Sequence, residues 1–106
     1  MANIYTSLHY YIIFSTKDRE MWIDREWRYS LWEYLSGHSH EIGGVAVHVH
    51  LLVSLKPTQM ISKVVQEVKK SSSAWVHDKV RVPGFAWQDG YAAFTVSASA
   101  LSKVSV

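Results

Sequence analysis

Two histidines one residue apart, His48 and His50, stand inside the apolar run GGVAVHVHLLVSL at residues 43–55. Successive side chains of a strand point to opposite faces, so residues two apart share one. His48, His50, Leu52 and Ser54 then line one face, and Val49, Leu51, Val53 and Leu55 the other. Imidazole is a common neutral ligand for divalent cations, and a pair on one strand face supplies two of the ligands such an ion needs. The same spacing also suits a half-exposed sheet face on which the rings simply pack. The remaining histidines, His9, His38, His40 and His77, are scattered and read as surface or packing residues.

A second group of residues has the chemistry to meet phosphate. Lys63, Lys69 and Lys70, followed by Ser71 to Ser73, offer charges and hydroxyl donors on one helical stretch. A solvated helix face has the same composition. Lys17 and Arg19, which follow the first strand, add two further charges that can meet phosphate. Trp87 and Tyr91 can stack on unpaired bases, but their apolar flanks favour core packing. Tyr10 and Tyr11, on the first strand, read as packing residues.

The elements that position these residues follow from periodicity. SLHYYIIFST, residues 7–16, is β-branched and aromatic and reads as a strand; its continuous apolarity calls for burial on both faces or a shared edge. KDREMWIDREWR is a mixed charge run, a solvated loop entering a helix. Asp24 is a suitable N-cap, Trp27, Leu31, Tyr34 and Leu35 follow at helical spacing, and Gly37 is a suitable stop. A short strand to about Val45 and a longer one from His48 to Leu55 come next, joined at Ala46-Val47, which carries no turn chemistry. Pro57-Thr58 ends the strand and caps a second helix, whose inner stripe is Ile61, Val64, Val65, Val68, Ser72 and Trp75. Pro83-Gly84 breaks the chain, residues 92–96 read as a last strand, and Ser97 or Ser99 can cap a short third helix. The order β-α-β-β-α-β is the ferredoxin-like arrangement, an α+β fold with an antiparallel sheet and both helices on one face. The histidines then stand on the uncovered side.

The bulk numbers agree with one compact domain. The chain has 106 residues, 48% of them hydrophobic and 19% charged, which leaves enough apolar surface for a core and argues against disorder. A net charge of +2 permits a nucleic-acid partner without arguing for one. There is no cysteine, which removes disulfides and thiolate metal sites and fits a reducing compartment. No secretory leader pattern and no membrane-length apolar run is present, so a soluble cytoplasmic protein is the expectation. Five tryptophans and six tyrosines in so short a chain call for a large core, a stacking surface or a partner.

Taken together, HVHLLVSL followed by Lys56-Pro57, the helix MISKVVQEVKKSSSAWV and the stretch FAWQDGYAAFTVSASALSKV resembles the IS200/IS605-type transposases. These are small single-strand DNA transposases of the HUH, single-tyrosine class, and the resemblance runs from TSLHYYIIFSTKDRE to Val106. It implies the ferredoxin-like fold reached above from element order. It also implies that His48 and His50 hold a catalytic Mg²⁺ or Mn²⁺, and that hairpin-forming single-stranded DNA is the partner. In the family, a tyrosine on a C-terminal helix attacks the scissile phosphate, leaving a 5′-phosphotyrosine and a free 3′-OH. A glutamine one turn further on completes the metal site. The helix packs against a second subunit, so a homodimer is expected.

The sequence departs from this pattern in two places. The family's tyrosine falls just beyond Val106, with the glutamine after it, so no catalytic nucleophile is assigned within the 106 residues and the chain is expected to be catalytically incomplete. A premature stop and a fragment of a longer chain would each account for this, and Tyr91, ahead of the last strand, is a poor substitute. Val47 occupies a position that is commonly acidic in the family, which bears on the hairpin turn and on the charge around the metal site. Two other readings compete: a non-catalytic hairpin-binding module derived from such a transposase, and an unrelated dimeric ferredoxin-like domain whose histidines pack. Hairpin binding separates the third from the first two. Metal-dependent chemistry, with the missing helix restored, singles out the first.

Overall fold

The computed structural model describes residues 8–39 and 41–96. Four strands, β1 (Leu8–Ser15), β2 (Glu41–Val45), β3 (His48–Leu55) and β4 (Ala92–Val96), form one antiparallel sheet in the order β2-β3-β1-β4. Two helices, α1 (Arg25–Leu35) and α2 (Ile61–Trp75), connect β1 to β2 and β3 to β4. This is the ferredoxin-like α+β arrangement expected from the element order. β1 and β3 take the two central positions, which explains the continuous apolarity of the first strand.

The period of two sorts the strand residues between layers. Ile12 and Phe14 of β1 and Val49, Leu51, Val53 and Leu55 of β3 are buried against Leu31 and Leu35 of α1 and Val65 and Val68 of α2. The inner stripe of α2 is as expected from its spacing, with Ile61, Val64 and Trp75 half-buried at the margin. An aromatic wall closes one end of this core. Trp87 meets Phe14 and Phe85 edge-to-face, each with ring centroids 4.8 Å apart. Its indole N–H donates to Ser72 Oγ at 2.9 Å, and that hydroxyl donates to the Val68 carbonyl at 2.6 Å. Ser72 therefore sits on the buried stripe as a relay that satisfies the Trp87 N–H. Trp87 is a core residue, as its flanks suggest.

Several boundaries differ from the sequence expectation. Asp24 caps α1 through a side-chain bond from the Glu26 N–H, and Gly37 lies in a short 3₁₀ turn after it. Pro57-Thr58, however, does not cap α2. Residues 56–59 form a turn closed by the Gln59 N–H on the Lys56 carbonyl and by Gln59 Oε1 on the Lys56 N–H, and the helix starts at Ile61. The end of α2 runs into a π-helical turn, Val76–Val80, terminated by Arg81 in the left-handed region at φ 67°. The turn at Ala46-Val47 exists despite its chemistry because other parts of the chain hold it. The Ala46 carbonyl accepts from the Ile23 N–H, and the Val47 carbonyl accepts from both the N–H and the hydroxyl of Thr16. The expected cap at Ser97 or Ser99 and the helix after it lie outside the described residues, as does His40.

Candidate metal and DNA site

His48 and His50 stand at the start of β3, on the face opposite the helices, and both are half-buried. Their rings lie nearly parallel, 15° apart, with centroids separated by 4.7 Å. Across the sheet His50 faces Ile13 on β1 and Gly43 on β2, and Gly43 puts no side chain beside the ring. Burial lowers the pKa of His50 below the ordinary histidine value, and repulsion from His48 lowers it further. A neutral imidazole with an available lone pair is the form that binds a metal.

Tyr11 was expected only to pack. Instead its phenol oxygen lies 3.0 Å from His50 Nδ1, with the two rings edge-to-face at 5.7 Å. Burial, and secondarily the charge of Glu41, raises the phenol pKa. Alternation along β1 places Tyr11 on the histidine face while Tyr10 packs on the core, a difference legible in the period of two, although the bond itself was not.

Both histidines border a cavity of about 420 Å³ whose lining also includes Ser15, Arg19, Asp89 and Tyr91. Three separate stretches build it. Beyond Ile13, β1 leaves its β4 pairing and is tied to residues 86–88: Thr16 bridges Trp87, the Gln88 N–H donates to the Ser15 carbonyl and the Lys17 N–H to the Ala86 carbonyl. The turn Lys17–Arg19 that follows has Asp18 and Arg19 both in the left-handed region, at φ 56° and 55°. Gln88 Oε1 accepts the Asp18 N–H at 2.8 Å and so supports that conformation. Tyr91 is exposed at 39% rather than packed, because it precedes β4 where that strand has not yet joined β1.

The remaining candidates are dispersed. Lys17 is exposed beside Arg19. Lys63 and Lys70 are exposed on α2, in the layer on the other side of the sheet from the histidines. Lys69 turns to the cavity's outer wall: its ammonium donates to the carbonyls of Gln88 at 2.7 Å and Gly90 at 2.6 Å and lies 5.5 Å from the Phe14 ring centroid. Burial lowers its pKa, partly offset by Asp89. Ser71 is half-buried, its hydroxyl directed to the Val68 carbonyl and its own carbonyl accepting from the Tyr34 hydroxyl. His77 is bonded to the Phe85 carbonyl at 2.7 Å, away from the cavity.

The family model for transposase IS200 like matches residues 4–106. The chain belongs to the IS200-like transposase family. Solved structures agree on the fold of this IS200-like chain. A protein of Deinococcus radiodurans R1 assigned as a transposase superposes with a TM-score of 0.70 at 24% identity, over 92% of this chain and 85% of that one. A REP-associated tyrosine transposase bound to a REP hairpin superposes with a TM-score of 0.57 at 13% identity, over 91% of this chain and 60% of that one. No curated protein matches the chain.

The donor set fits a divalent cation in part. Two imidazoles on one face are suitable nitrogen ligands, and neighbouring ligands of an octahedral ion with bonds of roughly 2.1 Å stand about 3 Å apart. The two rings stand nearly parallel on that face with centroids 4.7 Å apart. Among the described residues no group of three or more His, Cys, Asp or Glu side chains is placed to hold a metal, so the pair supplies two ligands and leaves the rest to other donors. Also among the described residues, no helix is long and apolar enough to cross a membrane.

Proposed function

We propose that this chain acts as a single-strand DNA transposase of the IS200/IS605 type, binding hairpin DNA and seating one phosphodiester in the cavity between the histidine pair and Arg19. The observation that carries this reading is the meeting of His48, His50 and Arg19 around one cavity in a member of the IS200-like family. His48 and His50 would hold Mg²⁺ or Mn²⁺, which when bound polarises the scissile phosphate and stabilises charge on the leaving oxygen. Arg19 presents a planar fork of donors suited to two phosphate oxygens. Two left-handed non-glycine residues in succession cost on the order of 1 kcal/mol or more each, and the bonds from Thr16 and Gln88 hold them in place. Lys17 adds an exposed charge along the same path, and Lys63 and Lys70 add sequence-independent attraction from the helix layer.

The nucleophile in this reading is the family's tyrosine, which has no counterpart in the 106 residues. A second copy of the chain is its expected partner.

The test uses a labelled single-stranded hairpin and Mn²⁺. The 106-residue chain is expected to bind the hairpin, and Arg19→Ala to weaken binding about tenfold, within the range for losing one specific arginine contact. Mn²⁺ should broaden the imidazole signals of His48 and His50 before those of His9 or His77. A denaturing gel should show no covalent adduct until a helix carrying the tyrosine and glutamine follows Val106, and that adduct should vanish in His48→Ala and His50→Ala. A metal-dependent adduct from the unextended chain would refute this assignment and point to Tyr91, which borders the cavity.

A further inference from the structure

We infer that Tyr11 is a positioning residue for His50: its phenol oxygen accepts the Nδ1–H and so presents the lone pair of Nε2 to the cavity. The inference rests on the reading of His50 as a metal ligand, but it makes a separate claim about the imidazole without metal.

Three contacts fix the His50 ring. Tyr11 meets it at Nδ1 across 3.0 Å. The Tyr11 ring stands against it edge-to-face, and the His48 ring covers one of its faces at 4.7 Å. With Nδ1 engaged, Nε2 is the nitrogen left to face a cation. An imidazole ligates through a nitrogen that carries no proton, so the proton must reside on Nδ1. That requires the phenol to accept there rather than donate.

Glu41 supplies the reason it does. In the sheet register Glu41 and Tyr11 flank the same residue, Leu52, from β2 and from β1, which places both on the histidine face of the sheet. Leu52 between them is buried, at 2% exposed, although among the described residues no helix covers that face. In this reading the carboxylate on that side of the sheet orients the phenol O–H away from the imidazole and so leaves an oxygen lone pair for the Nδ1–H. The result is an ordered series, carboxylate to phenol to imidazole, resembling the outer hydrogen bonds that set the tautomer of metal-bound histidines.

The test is imidazole nitrogen NMR on the ¹⁵N-labelled full chain, metal-free and at a pH above the histidine range. His50 is expected as the Nδ1–H tautomer in the unsubstituted protein, a reading that needs no variant. Tyr11→Phe keeps the ring and removes the acceptor, so His50 should shift toward the Nε2–H tautomer while His77 is unchanged. Glu41→Gln should shift it in the same direction by a smaller amount. Mn²⁺ affinity, followed by the electron-spin signal of the free ion, should fall about tenfold in Tyr11→Phe, the lower end of the range for lost outer-shell partners. An Nε2–H tautomer in the unsubstituted chain, or a tautomer indifferent to Tyr11→Phe, overturns the inference. Unaltered Mn²⁺ binding in His50→Ala overturns the metal reading instead, and the tautomer result stands apart from it.

Discussion

Lys69 and Lys70 are adjacent residues of one type on one helix, and the fold gives them different work. Lys70 is exposed, whereas the Lys69 ammonium is committed to the carbonyls of Gln88 and Gly90, which begin the segment lining the cavity. A charged donor on a carbonyl contributes about 1.5–3 kcal/mol when well shielded, and less where water competes. Lys69→Met is therefore expected to lower stability by about 1–2 kcal/mol in urea unfolding and to speed amide exchange at residues 88–91. Unchanged exchange in that segment would show that the clamp is idle. Composition alone could not separate the two lysines, because the partners of Lys69 are backbone atoms about twenty residues away. The same holds for Tyr11: its face was readable from alternation, but its bond to His50 spans 39 positions.

The elements themselves were largely legible. Strand and helix periods are local, so β3, the core stripe of α2 and the Asp24 cap all stand where the pattern places them. The errors fall where tertiary bonds override local chemistry. The Ala46-Val47 turn is held by Thr16 and Ile23, and the start of α2 is displaced by the Lys56–Gln59 turn. One residue of the hairpin has a strict local requirement. Gly44 lies at φ +149°, and a side chain there would collide with the His48 backbone carbonyl. Gly44→Ala must therefore strain the backbone or push the start of β3 away, and a cost of about 2–4 kcal/mol is expected from strain and overpacking together. Chemical unfolding measures the loss, and the His48 imidazole signals should move with it. A variant as stable as the parent, with those signals in place, would show that the hairpin tolerates the methyl group.

At the scale of the whole fold, the two described helices cover one face of the sheet and leave apolar side chains on the other. Phe94 is 56% exposed and Val45 47% exposed on the histidine side of the sheet, with β4 at its edge. A second copy of the chain is the partner proposed to cover part of this surface. Sedimentation at micromolar concentration should then show a dimer, and Phe94→Glu should shift it toward monomer with little loss of monomer stability, since Phe94 lies outside the core. A parent chain that sediments as a monomer at high concentration would refute the proposal. The sequence by itself determined the element order, the central apolar strands and the side-by-side placement of His48 and His50, because each depends on residues within a few positions of one another. Only the tertiary structure decided that Arg19, Asp89 and Tyr91 border the same cavity as those histidines, that Lys69 braces its wall and that Tyr11 meets His50. Those relations depend on how β1 pairs with β3 and then leaves β4 for residues 86–88. That register is set by the packing of the whole core and not by any single stretch of chain.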